Sequence, residues 1–235
     1  MTLGISALAV VSGVPAPYVP LSSVSELAAG LPRARIASSG IPRSHLLVLS
    51  PTDLDDLVDV SASVLASVGV ADEPLFLIRS GPQRDTMVAA LARLVHESAW
   101  PGEEVGITHL DELGGTVVFD LLTWAVPVSA TVVICDEPLF ADARSRPGFS
   151  AVGLRVGHGP GALRVLASGE GAPPSCAGHY FAGAGPCDAW ISLHSALAAG
   201  DVTDGDEILL HAKGPNREGW LTLTAANLAS LAVLP

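Results

Sequence analysis

The sequence predicts an α/β fold. Short runs of Val, Ile and Leu suit buried strands, other runs place apolar residues at helical spacing, and the two kinds alternate along most of the 235 residues. Leu3 to Val11 reads as the first strand, closed by a turn region over Gly13 to Pro20. A short helix follows over Ser22 to Leu31, capped by Ser22 or Ser23, and Ser38-Ser39-Gly40-Ile41-Pro42 turns the chain. Ser50-Pro51-Thr52-Asp53 is a helix start. Ser50 supplies a capping hydroxyl, Pro51 fits the first helical position, and Asp53 puts negative charge at the positive end of the dipole. Leu54, Leu57, Val58, Leu65 and Val68 share one face of that helix, and Gly69 stops it.

Leu75 to Ile78 is a short strand, and Asp85 to Ser98 a second amphipathic helix with Met87, Leu91, Leu94 and Val95 inward. Thr116 to Val126 has no clear period; its length and the strand that follows, Thr131 to Cys135, favour a helix. Ala151 to Val156 and Leu163 to Ala167 read as strands around a Gly157 to Gly161 turn, a hairpin or a sheet corner. Trp190, Leu193, His194 and Leu197 line a helix ended by Gly200. Asp204-Gly205-Asp206 turns into the strand Ile208 to His211, and Trp220 to Thr224 is expected to be the last strand. Trp190, Trp124 and Phe119 are expected in the core.

Composition narrows the function classes. Apolar residues make up 49% of the chain and charged residues 15%, with 24 Asp and Glu against 12 Lys and Arg. Mean hydropathy is +0.47, too apolar for a disordered chain. The net charge of -12, with Lys213 as the sole lysine, argues against nucleic acid or an anionic membrane as partner. Few charges on so apolar a chain imply that part of its surface is an interface. Met1-Thr2-Leu3-Gly4 carries no basic side chain and the first arginine is Arg33, so no secretory signal is expected. Leu113 to Cys135 is long enough to span a membrane, but Asp120 and Pro127 interrupt it; it reads as a buried helix and then a buried strand. Cys135, Cys176 and Cys187 make an odd set without a disulfide framework, which fits a reducing cytoplasm.

Several segments, taken in order, resemble the ketoacyl-ACP synthase III proteins. Arg35-Ile36-Ala37-Ser38-Ser39-Gly40-Ile41-Pro42-Arg43-Ser44-His45 is similar to their S-R-T-G-I-x-x-R-H stretch. The helix from Asp53, Ser67-Val68-Gly69-Val70 and the strand at Leu75 are similar to L-x-x-A-G-V-x-x-x-x-I-D-x-L-I-V. Leu193-His194-Ser195-Ala196-Leu197-Ala198-Ala199-Gly200 and Gly205-Asp206-Glu207-Ile208-Leu209-Leu210 resemble L-x-E-A-L-x-x-G and G-D-x-V-L-L. The resemblance implies a thiolase-like fold with αβαβα layers, built of two similar halves and usually dimeric. Here the halves would be 1–162 and 163–235, one compact unit shortened in the second half.

The departures bear on activity. The resemblance implies a nucleophilic Cys at the start of the helix near Thr116, yet Asp111, Glu112, Leu113, Gly114, Gly115 and Thr116 include none. Its His motif and preceding helix have no room between Gly171 and Gly183, and its Asn falls where Ala182-Gly183-Ala184-Gly185-Pro186-Cys187 stands. Loss of such a nucleophile costs on the order of 10⁶ in kcat. The chain is therefore expected to be a degenerate member lacking the triad and without activity alone. Its partner would be an intact synthase III-like protein in bacterial fatty-acid-like or polyketide secondary metabolism, with acyl carrier protein or coenzyme A thioesters reached through that partner and no cofactor of its own.

Other residues invite chemical readings. Cys176 or Cys187 activated by His179 would make a relocated acyltransferase or thioesterase nucleophile; the plainer reading is that both thiols pack as small hydrophobes. Cys176 and His179 form a single pair, short of a metal site, and no metal is expected. His45 and His211 read as structural, and Gly157-His158-Gly159-Pro160-Gly161 lacks the Lys and helix of a phosphate loop. The resemblance implies a structural role at a dimer interface for Asp136-Glu137-Pro138, and a loop closing the family's pocket for Asp111 with Glu112. By the resemblance, Ser80 to Thr86 crosses the dimer interface. Asp85 is then a cap for its own helix or a base in the partner's pocket, and Arg84 a phosphate ligand for phosphopantetheine or coenzyme A. An acyl-binding scaffold with no reaction is the remaining alternative.

Overall fold

A computed structural model describes residues 2–24, 40–49, 55–81, 90–138, 140–145, 147–175, 178–214 and 217–234. The first half runs β1 (Leu3–Val14), β2 (Tyr18–Pro20), β3 (Leu46–Leu49), α1 (Asp55–Val68), β4 (Leu75–Arg79), α2 (Ala90–Ser98), β5 (Glu104–Ile107), α3 (Val118–Ala125), β6 (Ser129–Asp136), β7 (Phe140–Asp142) and β8 (Phe149–His158). The second half adds β9 (Leu163–Glu170), β10 (His179–Gly183), α4 (Asp188–Ala199), β11 (Glu207–Lys213), β12 (Glu218–Ala225) and β13 (Ala232–Leu234).

The strands of the main sheet lie in the order β10-β11-β12-β9-β1-β8-β6-β4-β5, with β13 parallel to β1. Two similar patterns meet in it. In the first half β4 is parallel to β6, β6 antiparallel to β8, and β8 antiparallel to β1. In the second, β10 is parallel to β11, β11 antiparallel to β12, and β12 antiparallel to β9. The halves join where β9 pairs with β1 at Gly4 and Ile5 alone, and β13 takes the next stretch of that edge, Ala7 to Ala9. The copy is abridged. β5, at the far edge of the first half, has no counterpart beside β10 among the described residues, and no described helix lies between β9 and β10.

Burial sorts the layers. Val60, Val64 and Leu65 of α1 and Leu94 of α2 pack on one face of the first-half sheet, against Leu75, Leu77, Val133 and Ala151. The opposite face, through Ile78, Val132, Ile134 and Leu154, shares a single core with Ile208, Leu210, Leu221 and Leu223 of the second half. α3 and α4 lie in that shared core through Val118, Phe119, Leu122, Trp190 and Leu193. Phe119 and Trp190 stack with ring centroids 5.6 Å apart. Among the described residues these are the α, β, α, β layers of the expected αβαβα order, and no described helix lies over the outer face of the second-half sheet. β2, β3 and β7 form a small separate sheet over Leu21, Leu46 and Val48.

Several expectations need correction. β1 continues to Val14, and Tyr18–Pro20 is a strand, so the expected Gly13 to Pro20 turn is shorter. Leu21–Ser23 is a single 3₁₀ turn that ends at Val24 in extended backbone, and residues 25–31 of the helix expected there lie outside the described residues. So does the Ser50 to Asp53 helix start. β8 and β9 are not a hairpin: β1 lies between them, and the glycine-rich link is a sheet corner. Trp124 is 84% exposed rather than in the core. Trp220 is not on the last strand, because β13 follows and pairs with β1. The sequence reading also lacks β3, β5 and β10: Glu104 and the small residues Ala182 and Gly183 give no apolar run in two of them, whereas β3, Leu46–Leu49, is apolar and wholly buried.

Candidate functional site

The carboxyl ends of β4 and β6 lie side by side, with Arg79 opposite Cys135 and the Ser80 N–H donating to the Cys135 carbonyl at 3.2 Å. In α/β sheets this edge is where side chains converge on ligands. The loop after β5 is fastened to it, since Asp111 N–H donates to the Ser80 carbonyl at 3.0 Å. Both His109 and Asp111 adopt left-handed backbone there, with φ of 66° and 49°. The chain then makes a 3₁₀ turn, Asp111–Gly115, and enters α3 through Thr116.

The second half closes against this turn. A Cβ on Gly115 would stand 1.8 Å from the Pro186 carbonyl oxygen, so only glycine admits the segment leading into α4. Trp190 donates its indole N–H to the Gly115 carbonyl at 2.8 Å. Thr116 is 1% exposed, and its hydroxyl donates to the Leu113 carbonyl at 3.4 Å. On the other side that hydroxyl is held against Gly219 of β12.

Four carboxylate and cationic groups gather beside the turn. Asp188, in the first turn of α4, accepts the Ala184 and Gly185 N–H groups at 2.9 and 2.8 Å, which fixes the loop ahead of its own helix. Asp136 accepts from Ser80 Oγ at 3.4 Å, and Ser80 Oγ accepts the Glu137 N–H at 2.9 Å. Burial, then the nearby charge of Asp188, raises the Asp136 carboxyl to about 7. Arg79 and Glu137 form a buried ion pair at 2.5 Å. Asp136 therefore holds or releases a proton near neutral pH, whereas Glu137 is matched by a cation.

The predicted thiol chemistry is dispersed. Cys187 is 0% exposed, its thiol donates to the Ile134 carbonyl at 3.4 Å, and burial followed by the charge of Asp136 raises its pKa well above the ordinary thiol value. Cys135 shares a 3.0 Å hydrogen bond with Ser61 Oγ and is pushed up to about 12 by burial. His179 begins β10, with Nε2 3.2 Å from Asp206, and β10 runs between it and the segment that carries Cys187. Arg84, Asp85 and Cys176 lie outside the described residues. Among the described residues no group of three His, Cys, Asp or Glu side chains is placed to hold a metal ion. No described helix is long and apolar enough to cross a membrane.

Sequence reasoning did not single out the roles of Ser80 and Asp188. A carboxylate three or four residues after a glycine-rich loop, as Asp188 follows Ala184 and Gly185, is the signal that was there to read.

The same architecture occurs in solved structures. The acyltransferase ChlB3 superposes with a TM-score of 0.61 at 13% identity, covering 98% of this chain and 99% of its own. The 3-oxoacyl-(acyl carrier protein) synthase III of Pseudomonas aeruginosa gives a TM-score of 0.60 at 13% identity over 97% and 99%. The fold is thiolase-like. PksG, an HMG-CoA synthase from Bacillus, shares it with a TM-score of 0.62 at 12% identity, over 97% of this chain and 80% of that one. No protein-family model matches the sequence, and no curated protein matches it. α3 and α4 lie side by side in the core shared by the two halves, and the turn Asp111–Gly115 leads into α3.

Proposed function

We propose that this thiolase-like chain is a non-catalytic companion subunit. It pairs with an intact ketoacyl synthase III-like protein in the bacterial cytoplasm, and the pair transfers or condenses acyl groups delivered on acyl carrier protein or coenzyme A. The carrying observation is the closed approach to α3. Where the sequence resemblance places a nucleophile, Thr116 is the hydroxyl-bearing side chain, 1% exposed and held by the Leu113 carbonyl and Gly219. A buried hydroxyl without a neighbouring base gives no acyl-enzyme. The burial of Cys187 and its distance along β10 from His179 weigh against a relocated thiol nucleophile.

In this reading Asp85 reaches the partner's pocket, and Arg84 attracts a phosphate of the acyl carrier. Asp85→Asn separates capping from base catalysis, because Asn caps nearly as well and takes no proton. A hundredfold loss with unchanged assembly assigns the base; near wild-type turnover assigns the cap.

The test of the pairing is co-expression with a synthase III-like protein encoded beside it, followed by size exclusion with light scattering. A stoichiometric complex burying on the order of 2,000 Å² or more is expected. A soluble monomer with no affinity for such a protein overturns the proposal, as does condensation turnover by the isolated chain.

A further inference from the structure

The outer face of the second-half sheet carries an ordered row of polar side chains. Ile208, Leu210, Leu221 and Leu223 point into the shared core, so the residues alternating with them on β11 and β12 point outward. Tyr180 of β10 lies opposite Leu209, and His211 lies opposite both Ala182 and Trp220. That register makes Tyr180, His211 and Glu218 diagonal neighbours on one face. Tyr180 Oη is 2.7 Å from His211 Nδ1, and His211 Nε2 is 3.2 Å from Glu218 Oε2. The imidazole is 4% exposed, while the tyrosine is 54% exposed.

The order of the groups fixes their protons. A carboxylate only accepts, so Nε2 of His211 carries the hydrogen it shares with Glu218. With the ring neutral and that hydrogen on Nε2, Nδ1 presents a lone pair to which the phenol donates. This is a nucleophile-capable oxygen, a base within hydrogen-bond reach and a third group that orients the base. The base is shielded, and the oxygen faces solvent on a sheet face without a described helix over it.

We propose that Tyr180 accepts acyl groups from thioesters and comparably activated esters, with His211 as general base and Glu218 as a positioning residue. The leaving group sets the substrate class. A phenol oxygen displaces a thiolate, the weaker base, and does not displace a far more basic alkoxide. The phenol oxygen attacks the acyl carbonyl carbon as its proton passes to His211 Nδ1. The carbon–sulfur bond breaks, the thiolate takes that proton, and the products are an O-acyl tyrosine and a free thiol. The reaction belongs to the isolated chain and does not rest on the pairing proposed above.

The experiment incubates the purified chain with S-acetyl-N-acetylcysteamine and, separately, with p-nitrophenyl acetate, and maps the adduct by peptide mass spectrometry. The chain has 2 tyrosines, and Tyr18, buried with its hydroxyl donated to the Pro138 carbonyl at 2.8 Å, is the internal control. Acetylation is expected on Tyr180 and not on Tyr18. Tyr180→Phe should abolish it. His211→Gln, with melting checked, should slow it at least tenfold. Absence of adduct, equal labelling of both tyrosines, or a Tyr180 rate indifferent to His211→Gln overturns the proposal. Should His211→Gln fail to fold, His211→Asn and the selectivity over Tyr18 decide.

Discussion

The indole N–H of Trp190 meets the Gly115 carbonyl at 2.8 Å, so that a helix of the second half closes the loop that leads into the central helix of the first. The same indole stacks on Phe119, and both rings are fully buried. Polar and apolar contacts therefore meet at one side chain. Trp190→Phe keeps most of the apolar area and leaves the Gly115 carbonyl without its donor, a loss of about 1–3 kcal/mol. Trp190→Ala adds a cavity and should cost about 3–5 kcal/mol. Urea unfolding reads both; equal stability of the Phe variant and the parent would show that the bond contributes nothing.

Asp136 ties stability to pH. Its carboxyl rises from 3.8 to about 7 on folding, so the native state holds a proton that the unfolded chain releases. The stabilisation is full below pH 3.8 and is lost as pH climbs through 7. Asp136→Asn keeps a neutral side chain of the same shape at every pH. The variant should melt like the parent near pH 4 and above it at pH 8, by on the order of a few kcal/mol. A difference between the two proteins that does not vary with pH would remove Asp136 as the cause.

Thiol labelling tests the cysteines directly. Cys135 and Cys187 are both buried, and both thiols are shifted up. Neither should react with iodoacetamide in the native protein over hours at pH 8, and both should react in urea. Rapid native labelling of Cys187 would return it to consideration as a nucleophile.

Trp124 offers the opposite case from Trp190. At 84% exposure it has little area to lose, and Trp124→Ala should change unfolding free energy by no more than about 0.5 kcal/mol. A melting loss as large as that of Trp190→Ala would mean that Trp124 is covered in solution.

The parts of the fold legible in sequence are those whose burial leaves an apolar record. Leu75 to Arg79 is buried along its whole length, and its run of Leu, Phe and Ile announces that. Thr116 to Val126 gave up its helix by length. β5 is exposed along its edge and carries Glu104 and Gly106, so its pairing with β4 comes from the backbone, which composition does not record. Trp124 misled because residue type says nothing about which side of a short helix faces water. The site was less readable still. Asp136 and Asp188 lie 52 positions apart, and what couples them is the approach of Gly185 to the Asp136 carboxylate, a matter of packing between halves.

The central place of β1 also governs how the chain reaches its native state. β1 pairs with β8, β9 and β13, and a single hydrogen bond from Ser6 to the Arg155 carbonyl already spans 149 positions. Every ladder that β1 joins closes a long loop, and such closure slows folding through the entropy lost before contacts form. During synthesis β1 emerges well ahead of any of its partners and waits as an apolar strand with both edges open. Refolding should accordingly be slow and concentration-sensitive, with β1 the segment that a chaperone, or a neighbouring chain, captures first.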